Sequence, residues 1–150
     1  IKISSDFIVG FPNETNKDFQ QTMDLIEKVQ FDASFSFIFS PRPGTPASQL
    51  EDKTPPTQKK ERLQILQDRI DYFQRRYSKE LVGTIQRCLV TGVSKKDSKQ
   101  LQARTECNRV VNFDFQNINI LGKLVDINII EAYSHSLAGK IFNPEERYSA

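Results

Sequence analysis

Cysteine, histidine and long apolar runs are scarce in this chain, and each shortage removes a class of function. Cys88 and Cys107 are the only cysteines among 150 residues, too few for a disulfide framework. They also lie too far apart to form a close-spaced metal-binding pair. A reducing cytoplasm is the default expectation for such usage. His135 is the single histidine, placed between Ser134 and Ser136 near a predicted turn, where a surface position competes with a ligand role. No apolar stretch approaches the roughly 20 residues that cross a bilayer, so no membrane partner is expected. The opening residues do not read as a signal peptide. Glycine-rich phosphate-binding patterns are missing as well. The side chains that remain include no set able to break a strong bond unaided, so no catalytic residue is assigned.

Neither sign of charge dominates. The net charge is +2, and it is unevenly spread. Residues 1–80 hold twelve Lys/Arg and twelve Asp/Glu, whereas residues 81–142 hold eight basic and five acidic residues. A mildly basic second half fits an acidic partner such as RNA, and equally a plain soluble domain.

Two textures divide the chain near residue 80. In the first, residues 3–9 carry the run Phe7-Ile8-Val9 beside Gly10. A short continuous apolar run suits a strand buried on both faces, as in parallel sheets. Gly10-Phe11-Pro12-Asn13 is a turn, and Thr15 with Asp18 fits a capping box opening a helix. Phe19, Met23, Ile26 and Val29 give residues 16–30 one apolar face. Residues 35–39 form a second strand, so the order is βαβ, which predicts a parallel, right-handed unit. Three prolines and a glycine make residues 40–46 a stiff loop. Leu63, Leu66, Ile70, Phe73 and Tyr77 mark one stripe of a helix over residues 57–80. Arg62, Arg69 and Arg76 mark a second stripe, read as a solvated face shared with Glu61 and Asp68 or as RNA contacts. In the second texture, strand-like runs at about 83–93, 99–104, 108–113, 121–132 and 136–142 predict a small five-stranded barrel of OB-like type.

Ligands of parallel βα units bind beyond the carboxyl ends of the strands. The turn at Gly10, Phe11 and Pro12 and the loop at Pro41–Pro46 lie at such ends and should share a rim. Gly10 would let a ligand approach the backbone, Phe7, Ile8 and Phe11 offer apolar surface to a planar ring such as adenine, and Arg42 is the one fixed cation expected there. Ordinary turn chemistry explains the same residues.

Two motif groups resemble one family. The segments DFIVGFPNET (6–15) and FSFIFSPRPGTPA (35–47) are similar to the last strands of the radical-SAM barrel in methylthiotransferases. ARTECNRVVNF (103–113) and GKLVDINIIEAYSHSLAGKI (122–141) are similar to the TRAM domain that follows that barrel. The resemblance implies an α/β partial radical-SAM barrel over 1–80, an all-β TRAM barrel over 81–142 and a tail over 143–150. It implies a larger enzyme with S-adenosylmethionine and two [4Fe-4S] clusters, neither expected on this portion, which carries no matching cysteines and should be inactive alone. The reaction implied is methylthiolation of N6-isopentenyladenosine at position 37 of tRNA, with the anticodon stem-loop as partner and a monomeric full-length protein. The resemblance makes the strand at Phe7–Val9 the fifth of that barrel, which would lack its upstream neighbour, and the open edge should promote association.

By this resemblance Ile8, Gly10, Phe11, Pro12 and Arg42 would border the cofactor, with Pro43, Gly44 and Thr45 at the mouth of the site. Arg104, Asn108 and Arg109 would contact RNA at the TRAM turn, joined by Lys95, Lys96 and Lys99. Phe113 and Phe115 are candidates for base stacking, with core packing as the alternative. The sequence departs from the family pattern at Asn13, where Gly is usual, and at Ala138, where Arg is common. The alternatives are a sister methylthiotransferase, acting on a ribosomal protein or on threonylcarbamoyl-adenosine tRNA, and a free-standing RNA-binding module.

Overall fold

A computed structural model describes residues 2–114 and 118–143. The chain divides into two compact units, Ile1–Gln74 and Arg75–Ala150.

The first unit opens with β1 (Asp6–Val9), α1 (Asn16–Val29) and β2 (Phe35–Ile38), and β1 and β2 pair in parallel. The capping box forms as its sequence predicts. Thr15 Oγ1 accepts the Asp18 N–H at 3.2 Å, and the Asp18 carboxylate accepts the Thr15 N–H at 2.9 Å. These bonds satisfy amides that the first helical turn leaves without partners, and the Thr15 bonds hold the Asp18 carboxyl below its usual range. Asn13 takes the turn's left-handed conformation, at φ 69°, which asparagine tolerates better than most residues.

One expectation fails here. The run around Ile8 suggested a strand buried on both faces, yet β1 alternates. Phe7 and Val9 are buried, while Ile8 is 58% exposed. Its register partner Phe37 is 55% exposed and Phe35 is 71% exposed. Side chains of a strand alternate between faces, and only one face of this two-stranded sheet is covered among the described residues.

Helix α2 (Pro56–Glu80) buries Leu66, Ile70 and Phe73 along its apolar stripe. Its arginine stripe is neither a solvated face nor free for RNA. Arg62 is 5% exposed and donates to the Glu14 carboxylate at 2.6 Å and to Asn16 Oδ1 at 2.8 Å. Arg69 makes a two-pronged ion pair with Glu27 and stacks over Tyr72 and Phe73. Arg76 pairs with Glu80 and lies over Tyr77. Residues seven apart share a helix face, and in the first unit that face meets the acidic groups of α1 and its cap.

The second unit contains β3 (Ile85–Val93), β4 (Gln100–Thr105), β5 (Val110–Asp114), β6 (Leu124–Ala132) and β7 (Leu137–Ile141). They close a barrel in the order β3-β4-β5-β7-β6, antiparallel except for β5 with β7. The predicted strands match these within about three residues, ordinary slack for element ends. Inward positions alternate along each strand and supply one core of Cys88, Val90, Leu101, Ala103, Val111, Phe113, Ile127, Ile129 and Leu137. Phe113 is 1% exposed. It is therefore a core residue and not a base-stacking surface. Phe115 lies outside the described residues. Leu81, just after α2, packs against this core.

Gly139 sits where β7 crosses β6 most closely. A Cβ there would fall 2.4 Å from Ile127 Cγ2 and 2.9 Å from the Asn128 carbonyl oxygen. Backbone cannot retreat as a side-chain tip can. Gly139→Ala is therefore expected to destabilise the barrel by about 1–3 kcal/mol, the usual cost of overpacking. Gly92→Ala, at a bulge with open space around it, should change stability by less than about 0.5 kcal/mol. Urea unfolding of both variants, followed by circular dichroism, checks the contrast.

Candidate nucleic-acid interface

The turn between β4 and β5 is built by its own polar side chains. The Asn108 N–H donates to the Thr105 carbonyl at 2.9 Å, and the Arg109 N–H donates to Thr105 Oγ1 at 3.0 Å. Asn108 adopts φ 64°. Arg104 reaches back across the turn and donates to the Asn108 carbonyl at 3.0 Å and to Asn108 Oδ1 at 3.1 Å. Arg104 remains exposed, so its guanidinium keeps donors facing solvent.

Arg109 is placed differently. It is half-buried, and its Nε donates to Ser78 Oγ at 3.0 Å, while a terminal nitrogen lies 3.3 Å from Cys107 Sγ. It ties the end of α2 to the turn within the second unit. Sequence reasoning grouped Arg104 and Arg109 by type and proximity, whereas the fold sends them to different environments.

Lys95, Lys96 and Lys99 are all exposed on the connection between β3 and β4. The Asp97 carboxylate accepts the Lys99 N–H at 2.9 Å, and Ser94 Oγ accepts the Lys96 N–H at 3.2 Å. These bonds shape the connection and leave the ammonium groups of Lys95 and Lys99 outward. Lys96 Nζ donates to Ser136 Oγ at 3.3 Å. This bond brings in the connection between β6 and β7, including Tyr133 and exposed His135, which sequence reasoning left without a role. The sequence offered no reading of Tyr133, and only the barrel's closure reveals its neighbours.

In the first unit, the turn after β1 is arranged around Glu14. Its carboxylate accepts the Gly10 N–H at 2.9 Å and the Arg62 guanidinium. A Cβ on Gly10 would lie 2.7 Å from Lys59 Cγ. The close approach that Gly10 permits is thus used by the Lys59 side chain. Lys59 also forms an ion pair with Asp52, which holds the Asp52 carboxyl below its usual range. Arg42 is accordingly not the only cation with a defined position in this unit. Arg42 itself is exposed, and its carbonyl accepts the Thr45 hydroxyl at 2.8 Å, which sets the loop. Pro12 is buried, and Phe11 stacks edge-on against Phe39 with centroids 4.9 Å apart.

Among the described residues, no cluster of three or more His, Cys, Asp or Glu side chains has a metal-binding arrangement. No helix among them is long and apolar enough to cross a membrane. Cys88 lies in the barrel core, where burial pushes its thiol up to about 11.

Residues 79–142 match the TRAM domain family. Along nearly its whole length the chain is similar to one named group of enzymes. The tRNA-2-methylthio-N(6)-dimethylallyladenosine synthase of Legionella pneumophila (strain Corby) is 55% identical over 97% of this chain and 32% of the relative. The synthases of the same name from Janthinobacterium sp. (strain Marseille) and Ectopseudomonas mendocina (strain ymp) are each 57% identical, over 94% and 95% of this chain and 32% of each relative. The resemblance read from the two motif groups is thereby shown. The chain spans about a third of the length of these relatives.

Two expectations follow from this geometry. Arg109→Ala removes bonds from a half-buried network and should destabilise the second unit by about 1–3 kcal/mol. Arg104→Ala, on the surface, should cost less than about 1 kcal/mol. Thermal unfolding midpoints of the two variants measure the difference. The Cys88 thiol is raised in the folded state, so its contribution is full below the unfolded value of 9.0 and is lost as pH rises from there to about 11. Urea titrations across that window should show roughly 1–3 kcal/mol of alkaline destabilisation that Cys88→Ser does not share.

Proposed function

We propose that this chain is the carboxyl-terminal part of a radical-SAM methylthiotransferase that converts N6-isopentenyladenosine at position 37 of tRNA to its 2-methylthio derivative. One observation carries the reading: identity of 54–57% to synthases of that name along at least 94% of the chain. On this reading residues 1–80 are the end of the radical-SAM barrel, residues 81–142 are the TRAM domain, and the rest is a tail. The parallel β1–α1–β2 unit supports the first assignment, because such barrels repeat that unit. The open apolar face at Ile8, Phe35 and Phe37 supports it too. The full-length protein would be a cytoplasmic monomer, and this portion alone would be inactive.

The two [4Fe-4S] clusters of the proposed enzyme do not fit the residues of this chain. Clusters are held by sets of cysteine thiolates, and burial in the barrel core disfavours the thiolate of Cys88. The S-adenosylmethionine rim fits in part. Ile8 and Phe11 present apolar surface that would flank an adenine ring. Pro12 and the Glu14–Arg62 pair hold the turn that carries them, and Arg42 would offer a guanidinium from the neighbouring loop. Gly10 serves the packing of Lys59 instead. S-adenosylmethionine would supply the radical and the methyl group.

The TRAM domain would grip the tRNA anticodon stem-loop. Lys95, Lys96, Lys99 and Arg104 are exposed cations of its surface, and Asn108 shapes the turn that presents Arg104. Arg109 would act by holding that turn against α2. Lysine and arginine near phosphates provide affinity that falls with salt because counterions are released. Binding of tRNA to the chain should therefore weaken as salt rises. Replacing Lys95, Lys96 and Lys99 together by Gln should flatten the plot of log affinity against log salt, by up to about one unit of slope for each phosphate that loses its cation. Filter binding at a series of salt concentrations tests this, and an unchanged slope would exclude the three lysines.

A further inference from the structure

The Lys96 side chain joins two connections of the barrel, and together they hold an aromatic ring at the surface. Tyr133 follows β6 and is 48% exposed. Its N–H donates to the Ser136 carbonyl at 2.8 Å, which closes the connection between β6 and β7. Its hydroxyl donates to the Glu131 carboxylate at 2.5 Å. From the opposite connection, the Lys96 ammonium lies 5.7 Å from the ring centroid while donating to Ser136 Oγ. Backbone, hydroxyl and ring are thus each anchored. Core packing does not account for this ring, because Tyr133 is not among the residues of the barrel core or those packed against it. Nor does a surface hydrogen bond, since a shorter side chain would serve Glu131 as well.

The surrounding charges give the ring a direction. Glu131 stands at its hydroxyl edge and would repel a phosphate there. Lys95, Lys96 and Lys99 belong to the other connection, where Asp97 is engaged by the Lys99 N–H. An anionic strand is therefore favoured on the lysine side. A ring face beside cations is the combination that binds single-stranded nucleic acid, with bases stacking on the aromatic and phosphates meeting the cations. In an A-form duplex the base faces are covered by one another, so only an unpaired base can use such a ring.

We propose that Tyr133 is a base-stacking residue, receiving an unpaired RNA base while Lys95, Lys96 and Lys99 hold the adjoining phosphates. The inference rests on the reading of this barrel as an RNA-binding domain and deepens it by naming the contact and the kind of RNA element it takes.

The test uses the whole chain and two RNA probes of equal length. One is a hairpin with 2-aminopurine in its single-stranded loop, and the other is a blunt duplex. Wild type, Tyr133→Phe and Tyr133→Leu are compared, with thermal unfolding as a check that each folds. Wild type should quench the loop fluorophore. Tyr133→Leu should lose quenching and about 5- to 100-fold of hairpin affinity, the range for deleting one stacking aromatic, with duplex affinity unchanged. Tyr133→Phe keeps the ring and should bind the hairpin within about twofold of wild type. Wild-type hairpin affinity in Tyr133→Leu overturns the stacking role and leaves the RNA-binding reading standing. Equal losses on hairpin and duplex also overturn it, because they mark a purely electrostatic or structural role. A wild-type chain that binds neither RNA overturns the RNA-binding reading itself.

Discussion

Closure of the five-stranded barrel is the constraint on which the second unit depends. Each strand pairs on both sides, with β3 bonded to both β4 and β6 and the parallel β5–β7 contact completing the ring. A closed sheet has no free edge, so register is set all round by which residues face inward. The core from Cys88 to Leu137 follows from that register. So does the demand on Gly139, whose missing side chain lets β7 lie against Ile127 and the Asn128 carbonyl. Surface chemistry is a by-product of the same geometry. Connections that are remote in sequence, around Lys96 and around Tyr133, touch through the Lys96 side chain in the closed barrel.

The first unit is organised by a different interaction. Its sheet has two strands and one covered face, so hydrophobic burial alone has little area to act on. Ion pairs supplement it. Arg62 is buried against Glu14, whose carboxylate also accepts the Gly10 N–H, and Arg69 grips Glu27. A buried pair of this kind is costly to break because removing one partner strands the other charge. The turn after β1, the start of α1 and the middle of α2 are therefore held as one arrangement. Ile8, Phe35 and Phe37 stay outward, an apolar surface that ordinary soluble domains keep small.

The proposed enzyme gives these two solutions a common sense. Its end-of-barrel strands would present side chains towards a cofactor, and its TRAM domain would present cations and a ring towards RNA. On that proposal neither portion would supply the bond-breaking groups. What the chain contributes is position: Phe11 against Phe39, Arg104 across the Asn108 turn, and Tyr133 between Glu131 and Lys96.

Local signals in the sequence determined a good deal by themselves. The capping box at Thr15, the apolar stripe of α2, the five short strands and the left-handed turn at Asn13 were all legible, because each depends on neighbours within a few residues. The resemblance to methylthiotransferases was legible for the same reason, from short motifs. Only the tertiary structure decided the rest. Arg62 reads like a solvated cation until Glu14 is found 2.6 Å away. Phe113 stays open between core packing and a stacking surface until closure turns it inward, and Arg109 reads like Arg104 until Ser78 claims it. Tyr133 gave no signal at all, since its setting is made by Lys96, 37 positions earlier in the numbering. A side chain's type is a property of the chain, but its burial and partners are properties of contacts between distant segments, and a linear pattern does not contain them.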